Sequence, residues 1–307
     1  MTPKHLPVSI GRAYALLFLT MAIWASSFAG IRFVLRELDP FSMTTIRLLF
    51  AALCMALVIP LLKLRLPARR DWPRFVGASL LGMSIYHFLL NVGTETITAG
   101  QASFIIATIP IWTALLAARF LSEDLTKTHW AGLGLGVLGV GIMSLDADVG
   151  GLGAPGPGSW YVLGSAIAAG INIVLCKDLL LRYRAIEIAI YTTVIGALPF
   201  VFHLPWTIPA SQDISMTAWV VLFYLGAVPI GLGYWMSSIA LAALPASRTS
   251  QMMLLVPPMA ALIAWFAIGE EPSKMLFIGG PMIVAGVLLG RRKAPEAPEA
   301  PDQNGQN

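Results

Sequence analysis

Two side chains carry most of the chemical promise in this 307-residue sequence, which is 57% hydrophobic and only 12% charged. His87 lies midway along an apolar run, beside Tyr86 and one turn before Asn91. Imidazole changes charge near neutral pH, so a His facing a cavity is the side chain here best suited to couple protons. A neutral His bonded to a neighbouring helix is the plainer reading. Arg47 lies ~9 Å into another apolar run, at 1.5 Å per helical residue. Its guanidinium suits a carboxylate, but equally suits a structural arginine snorkelling outward or bonding helix-end carbonyls. Asn172 and Gln251 carry amides that either hold a small molecule or join helices. Trp24, Trp112, Tyr191, Tyr234 and Trp235 also lie inside apolar runs. They suit an apolar cavity with polar tips, matched to a zwitterion with a hydrophobic side chain. Trp72, Trp130, Trp160 and Trp219 lie near the ends of runs and read as interface anchors.

Other chemistries are excluded. All 16 Asp and Glu residues fall in connections, at the ends of runs or in the C-terminal tail. The sequence contains no H-E-x-x-H, no G-x-S-x-G and no P-loop, so catalytic residues, a metal and a cofactor are not expected. Cys54 and Cys176 both sit in apolar surroundings and make no disulfide framework. The run Gly132-x-Gly134-x-Gly136-x-x-Gly139 lies in an apolar segment, where a dinucleotide fingerprint has no strand-to-helix turn to occupy. Close helix packing explains it, within the monomer or between the two copies of a homodimer.

The elements that position these residues follow from hydropathy. A soluble domain carries about 25% charged residues, and the mean hydropathy here is +0.76. Apolar windows predict ten spans near 12–34, 41–62, 73–93, 100–121, 128–145, 159–178, 185–203, 216–242, 248–268 and 274–290. They are helices because a backbone in lipid must satisfy its own hydrogen bonds. The first run is too long for a signal peptide and lacks a cleavage site. Asp39-Pro40 opens the second span as a cap followed by a first-turn proline. The tail 294–307, with repeated Pro-Glu-Ala, is expected to be disordered. An N-inside arrangement puts most Lys and Arg, including Arg291-Arg292-Lys293, on the cytoplasmic side, with both termini there. The pI of about 9.2 thus reflects topology, and nucleic acid is not an expected partner.

The chain also repeats. Sliding 99–143 by 147 residues pairs Ser103 with Ser250, Pro110 with Pro257, Glu123 with Glu270, Lys127 with Lys274, Gly132 with Gly279 and Gly139 with Gly286, among 12 identities in 45 positions. The halves are residues 1–146 and 159–293, joined by a linker at 147–158. Five spans per half is odd, so the second copy is inverted relative to the first, as in many secondary transporters that rock around a midplane site. Pro110 and Pro257 fall mid-span in matching helices and are candidate hinges. Glu123 and Glu270 read as caps or loop anchors.

Taken together, Trp24-Ala25-Ser26-Ser27-Phe28, Asp39-Pro40-Phe41 leading to Arg47, and Pro110 with Glu123 repeated as Pro257 with Glu270 resemble the EamA-type branch of the drug/metabolite transporter superfamily, over nearly the whole chain. That resemblance implies an all-α polytopic protein of the bacterial inner membrane, with ten transmembrane helices in two inverted five-helix repeats around a central cavity. It also implies export of amino acids or related small metabolites. Small multidrug exporters of the same superfamily carry a membrane-embedded Glu in their first span; here that stretch has no acid, which disfavours a cationic-drug antiporter. Uptake of a related metabolite is the nearest alternative, and a membrane-embedded enzyme or receptor the most distant. The expected partners are a small-molecule substrate and the bilayer.

Overall fold

The computed structural model describes residues 8–97, 99–145, 156–268 and 273–290. Most of the expected linker, Glu270, the Arg291-Arg292-Lys293 cluster and the tail lie outside the described residues. Among those described, every regular element is helical. The first half supplies α1 (Ile10–Val34), α2 (Pro40–Val58), α3 (Trp72–Ser79), α4 (Tyr86–Thr94), α5 (Ala99–Ile106), α6 (Ile109–Phe120) and α7 (Lys127–Met143). The second supplies α8 (Pro157–Leu179), α9 (Ala185–Val201), α10 (Leu204–Ala210), α11 (Met216–Leu225), α12 (Gly233–Ala243), α13 (Ala246–Gln251), α14 (Val256–Ile268) and α15 (Leu276–Gly290).

Six stretches are long and apolar enough to cross a bilayer: Ile10–Ile31, Pro40–Leu61, Arg69–Thr94, Gln101–Phe120, Pro157–Leu179 and Met216–Ala243. α9 and α10 form a seventh if their 79° bend is counted within one span. Phe202 and Phe266 are about four-fifths exposed, at 82% and 79%. Rings so placed, with Phe18, Leu57 and Leu138 also outward, form the apolar exterior that acyl chains cover.

Several helices are interrupted in ways that hydropathy does not register. A π segment, Leu80–Ile85, separates α3 from α4, and another, Gly226–Leu232, separates α11 from α12. They start 146 residues apart, within one residue of the sequence repeat. A π turn inserts one extra residue, so it rotates every later side chain about the helix axis. The two prolines behave similarly. Pro110 is the second residue of α6, after a turn at Ala107 and Thr108, and Pro257 is the second residue of α14, after a 3-10 turn at Met252–Leu255. Both therefore start a new helical segment, where the missing N–H costs little. A bend after α9 was also not expected; Pro205 at the start of α10 sets it.

The most extensive helix pairing joins α7 to α15. Here the backbones touch. A methyl group on Gly139 would lie 2.7 Å from the Gly279 carbonyl oxygen, and one on Gly286 would lie 2.5 Å from that of Gly132. Gly136 faces Leu254 in the same seam. Gly132 pairs with Gly286 and Gly139 with Gly279, so one index rises as the other falls and the helices run antiparallel. The seam lies inside one chain. α15 and Leu254 occupy the faces that Gly132, Gly136 and Gly139 would offer to a second copy. Of the α7 glycines, Gly134 alone has no atom within 4 Å and points to open space.

The cores mix the halves. Leu48 and Ala51 of α2 pack with Met83, with Ala197 and Phe200 of α9, and with Ile230 of the second π segment. Another core joins Tyr14, Leu17 and Met21 of α1 to Leu133, Ala240, Leu254 and Ile283.

Candidate functional site between the two halves

α2 carries Arg47 to its place. Asp39 caps the helix, its Oδ1 accepting from the Phe41 N–H at 3.0 Å and the Ser42 N–H at 2.9 Å. Burial pushes the Asp39 carboxyl up, but bonds from the Ser42 side chain and the Ser42 and Phe41 amides outweigh it and hold it below its ordinary value. Two turns on, Arg47 Nη2 donates to His87 Nδ1 at 3.0 Å. His87 is presented by α4, directly after the Leu80–Ile85 π segment, so the extra residue of that turn sets which way it faces. His87 is 6% exposed, and the Tyr86 ring lies edge-on to it at 4.8 Å. Neither Arg47 Nε nor His87 Nε2 has a hydrogen-bond partner, although both are buried.

Tyr234 joins from α12 and lies within electrostatic reach of Arg47, as does Tyr86. The Trp24 ring packs against Tyr234 at 5.6 Å, and Trp24 Nε1 donates to the Pro229 carbonyl at 2.9 Å. That carbonyl belongs to the second π segment. The first π segment is treated alike: the Asn172 Nδ2 donates to the carbonyl of Ala78, just before it, at 2.7 Å. Gly82 must be a glycine because Asn172 fills the space a Cβ would need. Polar side chains thus take up carbonyls around the register shifts, where an α-helix would use its own amides.

The sequence candidates therefore divide. Trp24, Arg47, Tyr86, His87 and Tyr234 come together from α1, α2, α4 and α12. Asn91 is committed nearby, donating to Thr44 Oγ1 at 3.0 Å and holding α4 on α2. Trp112 donates to Thr108 Oγ1 within its own helical stretch at 3.2 Å, and its Cβ is the neighbour a side chain on Gly170 would meet at 3.0 Å. Tyr191 points away to the Arg65 carbonyl at 3.0 Å. Gln251 donates to the Gly286 carbonyl at 3.1 Å and serves the α7–α15 seam.

Sequence reading also missed a charged network at the end of the bundle that carries Arg65. Glu187 is buried and accepts from the Arg65 and Arg184 amides and from the Arg184 guanidinium. Asp71, 1% exposed, accepts from the Tyr183 hydroxyl at 2.8 Å and pairs with Arg182 at 3.3 Å. Glu123 accepts from the Ala246 and Ser247 amides and the Ser247 hydroxyl, capping α13. Ser122 enables this by taking a left-handed φ of 52°. The expectation that Glu123 is a cap describes these contacts. For Asp71 and Glu187 hydropathy gave no signal, since both look like ordinary loop-end acids.

Two cavities lie near the α9–α10 bend, and none of the five cluster residues lines either. One of about 540 Å³ is lined by Phe41, Ser84, Phe88, Phe200 and His203, and one of about 350 Å³ by Asp39, Ser42, His203 and Trp206.

Comparison with known proteins places this arrangement. A "Probable terminal-alkyne amino-acid exporter" of Streptantibioticus cattleyicolor is 31% identical over 95% of this chain and 99% of its own. The "Uncharacterized transporter YdfC" of Bacillus subtilis is 30% identical over 88% of each chain. A crystal structure superposes with a TM-score of 0.80 at 19% identity, over 92% of this chain and 97% of the other, which shows a shared fold. The model of the EamA-like transporter family matches twice, at residues 11–145 and 156–291. With two family copies in tandem and apolar helices throughout, this chain is a multi-pass membrane protein of the EamA-like transporter family, a family of transporters and not of enzymes.

Proposed function

We propose that the protein exports amino acids or related small metabolites across the bacterial inner membrane by alternating access between inverted five-helix halves. The observation that carries this reading is the Trp24–Arg47–Tyr86–His87–Tyr234 cluster. It is polar, half-buried around the buried His87, and built jointly by the first half (α1, α2, α4) and the second (α12), where rocking of one half on the other would open and close it.

Ten spans follow if each interrupted pair counts once: α3 with α4, α5 with α6, α11 with α12, and α13 with α14, with α10 lying across the end of α9. The halves are then residues 1–146 and 159–293, joined by 147–158. The seam supports inversion. Gly132 is the repeat equivalent of Gly279, and Gly139 of Gly286, so Gly132–Gly286 and Gly139–Gly279 are the same contact made twice about a pseudo-two-fold axis. Equivalent helices meeting antiparallel fit an axis that crosses them, which would turn one half upside down. Basic residues favour both termini on the cytoplasmic side. The helix breaks before Pro110 and Pro257 are matching points at which the halves can flex. The sequence carries no nucleotide-binding loop, so a gradient of substrate or ion drives the flux. The exporter named among the relatives supports amino-acid chemistry.

Counterflow in proteoliposomes preloaded with an amino-acid mixture, read by mass spectrometry, tests the reading. Selective exchange of one class is expected. Absence of exchange for every component, from folded protein, would overturn it.

A further inference from the structure

We propose that Arg47 and His87 form one carboxylate-reading unit, in which Arg47 takes the anionic end of the carried molecule and His87 is its positioning residue. The proposal rests on the transport reading above and assigns its substrate class: molecules with a free carboxylate, in preference to their neutral or purely cationic analogues.

Arg47 is a cation between helices with no carboxylate in ion-pair distance among the described residues. Its one hydrogen bond goes to His87 Nδ1, and its Nε is buried without a partner. Charges inside a membrane protein are retained where something compensates them, and here the protein does not supply the anion. A guanidinium offers parallel N–H groups that fit both oxygens of a carboxylate. Among the described residues no carboxylate pairs with Arg47 that could serve an ammonium in the same way. The phenols of Tyr86 and Tyr234 lie within electrostatic reach of Arg47, and the ring of Trp24 packs at a tilt against Tyr234. These offer aromatic faces to an amine but no acid.

The role of His87 follows from donor arithmetic. Arginine only donates, so His87 Nδ1 must be accepting, and the ring proton sits on Nε2. A proton on Nδ1 would set two donors face to face beside a guanidinium. While the bond to Arg47 stands, His87 holds the fork in place as the neutral Nε2–H tautomer. Its Nε2–H, also buried and unpartnered, is a second donor available to an anion once the cluster opens.

The test uses the full chain in proteoliposomes, with two probes: the amino-acid mixture and the matched mixture of amino-acid amides. Wild type should exchange acids faster than amides by about tenfold or more, the scale of one lost charge-assisted hydrogen bond. R47L should bring that ratio near one by loss of acid exchange. H87N should keep the ratio within about threefold, because its Oδ1 can still accept from Arg47, whereas H87L should collapse it; size-exclusion profiles establish that each variant folds. Wild type and H87N should show the same flux between pH 6 and 8. Equal exchange of amides and acids by wild type, an unchanged ratio in R47L, or a pH dependence lost in H87N would each overturn the proposal. Failure of wild type to exchange either mixture would instead overturn the transport reading, and this proposal with it.

Discussion

The α7–α15 seam and the Arg47 cluster are both places where the two halves meet, yet they are built on opposite principles. In the seam the halves agree. Equivalent glycines make equivalent contacts, the surfaces are backbone, and no charge is involved. In the cluster they differ. α9, the counterpart of α2, contains no basic residue between Ala185 and Val201, and at the repeat spacing Tyr234 stands where the first half has His87. Tight packing needs only shape, which duplication copies without loss. A site of the proposed kind, gripping an asymmetric molecule, gains from unlike groups, which would account for the divergence of the copies there.

The contrast can be broken hardest at Gly132. A leucine there meets the backbone of α15, where nothing can move aside cheaply, so Gly132→Leu should destabilise the detergent-solubilised protein by at least ~3 kcal/mol, beyond the usual cost of overpacking. Gly134→Leu, two residues away and facing open space, should leave thermal unfolding unchanged. Similar losses in the two variants would refute the seam as drawn.

Arg47 should respond with the opposite sign. Replacing a half-buried cation, whose Nε is buried and unpartnered, by leucine removes its desolvation cost, so Arg47→Leu should unfold at a higher temperature, by an equivalent of ~1 kcal/mol, while losing amino-acid exchange. A fall in stability would mean that Arg47 is structural.

Smaller effects sharpen the local picture. Ser122 holds a left-handed φ of 52°, and the second half carries Gly269 at the equivalent position. Ser122→Gly should therefore stabilise by ~0.5–1 kcal/mol, visible as a small rise in midpoint temperature, because glycine adopts this conformation without strain.

The Asp39 cap is the weakest of these and the one that depends on pH. Its folded carboxyl is held below its ordinary value, so its contribution is present above the unfolded pKa and disappears as pH falls through the lower, folded one. Asp39→Ala should cost about 1 kcal/mol at pH 7, and the gap from wild type should close in strongly acidic buffer. A gap that stays constant with pH would show that the carboxylate charge is irrelevant to the cap.

Sequence alone determined the apolar segments, the repeat, and the Arg47 and His87 candidates. Hydropathy placed spans within a few residues of the helices, because exposure to lipid forces an uninterrupted apolar composition on each segment. It also singled out Arg47 and His87, since a charged or titratable group in such a segment is rare for energetic reasons. Which of the remaining candidates join them was decided only in three dimensions. Asn91, Tyr191 and Gln251 share the composition of site residues, but they are committed to Thr44, the Arg65 carbonyl and the Gly286 carbonyl. The π segments explain part of the gap. Each adds a single residue without changing composition, so a period-based reading points every later side chain to the wrong sector. Only the folded chain reveals that Leu80–Ile85 turns His87 onto α2, and that Gly132 meets Gly286, because both depend on contacts between residues far apart in the chain.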